Sequence, residues 1–415
     1  MPDNSNSNHP RRRRGNVVQF PETGRARRRI LRKSEDPRLR LAAVFASVSG
    51  WLFTLALVLF LITNYRLLLP DSLHRLFSYL ATGLQITSSD AATIEYASGS
   101  MLDAELFGGG LAYVDSDTLY ISKPNGLNQL ALQLSYSNPA IEVSDSLILA
   151  FDQGGRTASL SNALTSLCEV KTESPILSAS IGENGGFVLV TDESGYKTAV
   201  AVYNNNGAQV FKWYSAEYYI LAAALSPDGN YLAVLGFQQA GVELKSELLF
   251  WRIGKEEAEA RFELGSSLGY DVEFMNSSTA AVMTDHGAYL VTRKGVLLGQ
   301  LELSPSDLIG YIFSDRGILV ASNAYQGAAR AQLRLLSTNG TLSEEPLYIS
   351  SEIQHISADG SMLGVLTTDG LHVYSLSLWD EIWSNRTVTG ARGLRMDSSG
   401  TAYVLYGSDC RIFQR

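Results

Sequence analysis

Along most of the chain, short apolar, β-branched runs alternate with turn signals. "SPDGNYLAV" (226–234) shows the form: a four-residue turn feeds straight into a strand-like run. It returns at "GENGGFVLV" (182–190), "SDRGILVAS" (314–322), "SADGSMLGVL" (357–366) and "DSSGTAYVL" (397–405). Weaker copies are "GGGLAYV" (108–114), "SDSLILAF" (144–151) and "NSSTAAVM" (276–283). The marker glycines Gly185, Gly229, Gly317, Gly360 and Gly400 lie 44, 88, 43 and 40 residues apart, with the copy at Ser278 inside the widest gap. The period is therefore near 40.

A second motif follows the first: "AVAVYNNNG" (199–207), "LLFWRIG" (248–254), "AYLVTRKG" (288–295), "LRLLSTNG" (333–340) and "LHVYSLS" (371–377). Asn-Gly and Asp-Gly tolerate the positive φ of tight hairpins, so these turns have a mechanism. One unit reads strand, Gly turn, strand, loop, strand, turn, strand. A four-stranded unit of about 40 residues is a propeller blade, which buries its two faces only between neighbours. The expected fold is an all-β propeller of about eight blades between residues 91 and 415, or seven if one degenerate copy is not a blade. The last copy lacks a fourth strand. "ATIEYAS" (92–98) is placed to supply it and tie the chain ends together.

The pattern changes before residue 91. "LAAVFASVSGWLFTLALVLFLIT" (41–63) carries no charge. As a helix it would reach ~35 Å, enough for a hydrocarbon core of ~30 Å. Its apolar core is longer than the ~7–15 residues of a cleaved signal. Residues 64–90 read as a juxtamembrane linker holding a short amphipathic helix, with Leu73, Leu76, Phe77, Leu80 and Leu84 at helical spacing.

Charge gives this segment a direction. Residues 1–40 hold twelve Arg and Lys against four Asp and Glu, whereas the whole chain is −9, leaving −17 for residues 41–415. A dense basic segment beside an apolar span stays in the cytoplasm. Residues 1–40 are thus expected to form a disordered cytoplasmic tail, with the propeller outside. Arg11, Arg12, Arg13, Arg14, Arg27, Arg28 and Arg29 are expected to face anionic lipid. The tail has only Phe20 as a ring to stack a base, which argues against nucleic acid.

These features resemble a family of single-pass, membrane-anchored propeller proteins of Gram-positive bacteria with no assigned function. The carrying residues are "NYRLLLPDSLHRLF" after the apolar helix, "LILAFDQGGRTASLSN", and above all "YNNNGAQVFKWYSAEYYILAAALSPDGNYLAV" (203–234). The resemblance implies a quinoprotein-like or WD-like propeller outside the membrane and supplies no activity.

Candidate chemistry is sparse. Two cysteines, Cys168 and Cys410, exclude a disulfide-dense scaffold. The five histidines form no HxH, HExxH or CxxC-like spacing, so no metal centre is expected. "DSDT" (115–118) lacks the Gly and terminal Glu of a calcium loop and reads as a turn. No catalytic residue and no cofactor are assigned. The densest aromatic cluster, "FKWYSAEYY" (211–219), offers Trp213, Tyr214, Tyr218 and Tyr219 as a candidate partner surface, since Trp and Tyr dominate interface hot spots. Strand alternation puts Phe211 and Trp213 on one side. The preferred reading is a non-enzymatic scaffold that binds a protein or cell-wall ligand. The alternatives are an envelope-polymer enzyme with acids converging from several blades, and a sensor signalling through the Arg-rich tail.

Overall fold

In the computed structural model, the described residues are 45, 48–56, 58, 92–241, 243–324 and 330–415. The basic tail and the amphipathic segment 70–85 lie outside them, as does most of the apolar span 41–63. Its described residues are helical, but no described helix is long and apolar enough to cross a membrane.

Residues 93–413 form eight four-stranded antiparallel sheets, the blades of one propeller. Blades 1 to 7 span residues 103–133, 139–171, 176–215, 219–263, 269–302, 308–349 and 353–385. In each, strand order follows chain order. Blade 8 takes three strands from 393–413 and its outermost from Thr93–Glu95, which pairs with Asp409–Phe413. The marker glycines Gly185, Gly229, Gly317, Gly360 and Gly400 all sit, with positive φ, in the hairpins between first and second strands. At Gly317 (φ 136°) an added Cβ would lie 2.1 Å from the Leu336 carbonyl oxygen of the third strand, so only glycine fits. The asparagines at 276, 339 and 385, which the sequence presents as N-x-S/T triplets, are turn formers. Their Oδ1 atoms accept from the amides of Ser278, Thr341 and Thr387.

Parity along the strands assembles the ring. The second and third strands lie between neighbouring blades and are apolar on both faces: Phe187–Thr191 and Thr198–Tyr203 of blade 3 are buried throughout. Phe187, Leu189, Ala201 and Tyr203 pack against blade 2 with Leu149, Phe151, Leu160 and Cys168. Val188, Val190, Val200 and Val202 face the other way and meet Leu232, Val234, Leu249 and Trp251 of blade 4. Eight such clusters, one per seam, are the core of the described residues. Each buried aliphatic or aromatic side chain contributes roughly 1.5–3 kcal/mol. The closing seam holds Ile94, Tyr96, Leu111, Tyr113, Tyr403 and Ile412.

Two features stand out from the repeat. The inner strands are linked by side chains: Ile141 N donates to Asp103, Ser178 and Ser180 donate to the carbonyls of Leu221 and Ala223, and Met396 N donates to Ser357. The second and third strands of blade 4, Tyr231–Ala240 and Glu243–Arg252, run ten residues each and extend past their neighbours.

Candidate functional site

Two places gather unusual side chains. The first is a groove of about 420 Å³ at the rim, lined by Tyr196, Phe211, Lys212, Trp213, Tyr214 and residues 254–256. It follows Gln209–Ser215, the outermost strand of blade 3, one edge of which has no strand partner. Alternation sends Phe211 and Trp213 toward blade 4, where Trp213 meets Trp251 with ring centres 4.5 Å apart. The indole Nε1 of the buried Trp251 has no hydrogen-bond partner. Lys212 and Tyr214 take the other face. Tyr214 pairs with Tyr196 (4.9 Å between centres), and the two rings are 44% and 49% exposed. Lys212 Nζ lies 4.6 Å from the Tyr214 ring centre and 2.9 Å from Glu193 Oε1. Partial burial works to raise the Glu193 carboxyl, but hydrogen bonds from Lys212 and Ser174 win and hold it below the usual range.

The aromatic cluster of the sequence is thus divided. Trp213 and Tyr214 line the groove. Tyr218 is buried, with its hydroxyl donating to Glu247 at 2.9 Å. Tyr219 is exposed but stacks on Phe237 of the long hairpin, beneath Lys197. Tyr196 joins from a separate loop that no local pattern singles out.

The second place is the propeller axis, toward which the inner strands turn their polar residues. Asp103 and Glu105 come from Asp103–Phe107 of blade 1, Glu142 from Pro139–Val143 of blade 2, and Asp271 and Glu273 from Gly269–Asn276 of blade 5. Three of these acids have partners, the first being Asp103, which accepts from the Ile141 amide. Glu105 holds Arg395 of blade 8 through Oε1 and Oε2 at 2.6 and 2.8 Å, and Asp271 accepts from the Tyr311 hydroxyl at 2.8 Å. Glu142 and Glu273 are exposed residues of their strands and lie among the other acids. Burial raises the Glu142 carboxyl to about 8, with the charges of Glu105, Asp103, Asp271 and Glu273 adding to it. Burial, then Asp271 and Glu183, raises Glu273 to about 7. Burial also raises Asp271, and it lowers His355, beside Arg395. Among the described residues no group of three or more His, Cys, Asp or Glu could hold a metal ion. The "DSDT" segment is a turn, in which Asp115 Oδ1 accepts from the amides of Asp117 and Thr118.

Comparison with known proteins gives few relatives by sequence and many by shape. No curated protein matches significantly. Among solved structures, BamB from Moraxella catarrhalis has a TM-score of 0.49 at 11% identity, covering 78% of this chain and 98% of that one. The β-propeller domain of Cps50 (Swd1) from Myceliophteria thermophila has a TM-score of 0.47 at 10% identity, covering 79% and 100%. The family model described as "Family of unknown function (DUF5711)" matches residues 85–378, more than half of the sequence, and the chain belongs to that family.

Proposed function

We propose that the protein is a membrane-anchored, extracytoplasmic binding scaffold without catalytic activity, and that the rim groove of blade 3 takes an extended segment of a protein partner. The groove carries this reading. An outer strand with a free edge offers main-chain hydrogen bonds, and Trp213, Tyr214 and Tyr196 offer ring surface beside it, the combination that strand addition uses. The uncharged stretch 41–63 and the arginine blocks before it support the anchor and its orientation.

A photo-crosslinker at Glu256, on the wall of the groove, tests it in intact cells. The trapped protein should disappear in a Tyr196→Ala/Tyr214→Ala variant and persist in Tyr348→Ala, which alters an exposed tyrosine on blade 6. Equal trapping by all three would overturn the reading, as would capture of cell-wall glycan alone. A membrane-impermeant label that fails to reach the propeller on whole cells would overturn the topology.

One observation favours the enzymatic alternative: a carboxyl raised by burial near ionised acids is the arrangement of a general acid, and Glu142 has it. Release of soluble fragments from envelope polymer by the wild type but not by Glu142→Gln would replace the scaffold reading.

A further inference from the structure

We propose that the rim of the seam between blades 5 and 6 is a binding site for a small dianion bearing carboxylate or phosphate groups, held by the guanidiniums of Arg330 and Arg334.

Strand parity supplies the first support. In Ala331–Ser337, the third strand of blade 6, Ala331, Leu333 and Leu335 pack toward blade 7. Leu336 packs toward blade 5, so Gln332 and Arg334 take that face with it. In the outermost strand, Leu347 and Ile349 also pack toward blade 7, which leaves Tyr348 on the blade 5 side, level with Gln332. Arg330, just ahead of the third strand, lays its guanidinium over the Tyr348 ring, 4.0 Å from the ring centre. It thus reaches along this face toward Arg334.

The second support is a donor without an acceptor. Arg334 is half-buried, and its Nε is shut off from solvent with no hydrogen-bond partner. It is the one arginine among the described residues in that state. Buried donors are satisfied in folded proteins with few exceptions, and a desolvated cation calls for a counter-charge. The outermost strand of blade 6 pairs only with Ala331–Leu333 and stops short of Arg334.

The third support is the missing acid. Blade 5 turns Ala288, Leu290 and Leu301 to this seam. Gln300 and Glu302 take the other face of their strand and bond to each other. Glu344 and Glu345, in the loop ahead of Tyr348, are exposed, and no carboxylate of the described residues pairs with Arg330 or Arg334. Arg411 shows the contrast. It stacks on Tyr406 in the same manner, 4.5 Å from the ring centre, but its Nε lies 2.7 Å from Asp409. Two cations on one face without a counter-charge match a ligand with two negative charges, and the planar fork of arginine suits carboxylate and phosphate oxygens.

The charge of the rest of the chain makes the test specific. Residues 41–415 carry −17, so diffuse electrostatics repel an anion, and saturable binding marks a local site. Succinate and inorganic phosphate are the probes. Each is titrated calorimetrically into the full chain in detergent, at neutral pH and low ionic strength. The expected result is saturable one-site binding of at least one of them. Succinate alone would mark a carboxylate ligand, and phosphate alone a phosphorylated one. Arg330→Gln and Arg334→Gln should each weaken binding by about tenfold or more. Arg334→Lys, which keeps the charge but loses the fork, should fall between these and the wild type. Arg411→Gln should leave binding unchanged. The anion should raise the melting temperature of the wild type but not of Arg334→Gln. Without the anion, Arg334→Gln should melt no lower than the wild type, since it removes a charge that the free chain leaves uncompensated. No saturable binding of either probe would overturn the proposal. So would equal binding by Arg334→Gln, or equal displacement by chloride at matched ionic strength.

Discussion

The guanidinium of Arg395 grips both carboxylate oxygens of Glu105, 290 positions earlier in the chain. The pair spans the seam between the last blade and the first, next to the acids of the axis. The two side chains are each about one-third exposed.

Replacing Arg395 with Ala should therefore cost about 1–2 kcal/mol, between the values for exposed and fully buried ion pairs. Part of the loss comes from leaving Glu105 uncompensated beside Glu142. Adding Glu105→Gln should recover stability, and urea unfolding of the single and double variants measures the coupling.

Glycine positions separate strain from mere turn preference. Gly287 has φ 144°, and an added Cβ would meet the Leu301 carbonyl oxygen at 2.0 Å. Gly287→Ala should lower stability by more than about 2 kcal/mol. Gly195 has φ 87° with open space around it, so Gly195→Ala should cost only about 1 kcal/mol. Denaturant midpoints with unchanged slope would register both.

The tyrosines of the aromatic cluster should divide by function. Tyr214→Ala and Tyr196→Ala remove exposed rings and should leave the melting temperature within about 1 °C while weakening partner capture. Tyr218→Phe deletes the bond to Glu247 and should destabilise by about 1 kcal/mol without touching capture.

Stability should fall as pH rises. Glu142 and Glu273 hold protons more tightly in the folded chain than an ordinary glutamate near 4.5 does. Their contribution is whole below that value and is lost as pH climbs through 7 and 8. Melting should be higher at pH 5.5 than at pH 8.5 by about 2–4 °C, what about 1 kcal/mol produces in a large domain. The Glu142→Gln/Glu273→Gln variant should flatten that slope. An unchanged slope would place the titration elsewhere.

The blades were legible because their signals are local. A turn glycine, followed within a few residues by a doubly buried run such as "FVLV" or "YLAV", marks the first hairpin of a blade wherever it falls. Even the degenerate copies at 108, 144 and 276 occupy that place, which gives the count of eight rather than seven. The closing strand was legible by subtraction, since the last repeat was one strand short.

The axial acids were not legible. In "PAIEV" and "GYDVEFMN" the glutamates look like the polar half of an ordinary alternation. Their convergence arises only when blades 2 and 5 are carried round the ring. The groove was half legible. Alternation placed Trp213 with Phe211 facing blade 4, but a contiguous aromatic run cannot show that Tyr218 turns inward to reach Glu247. Nor can it show that Tyr196 arrives from another loop.

The three residues of Thr93–Glu95 impose an order of events on synthesis. Ile94 is fully buried, but its partner Cys410 emerges from the ribosome more than three hundred residues later. Until then the earliest strand of the propeller waits without a strand partner on either edge, and seven finished blades form an open arc. A nascent chain that stalls before residue 409 thus displays unpaired strand edges, a ready signal for degradation.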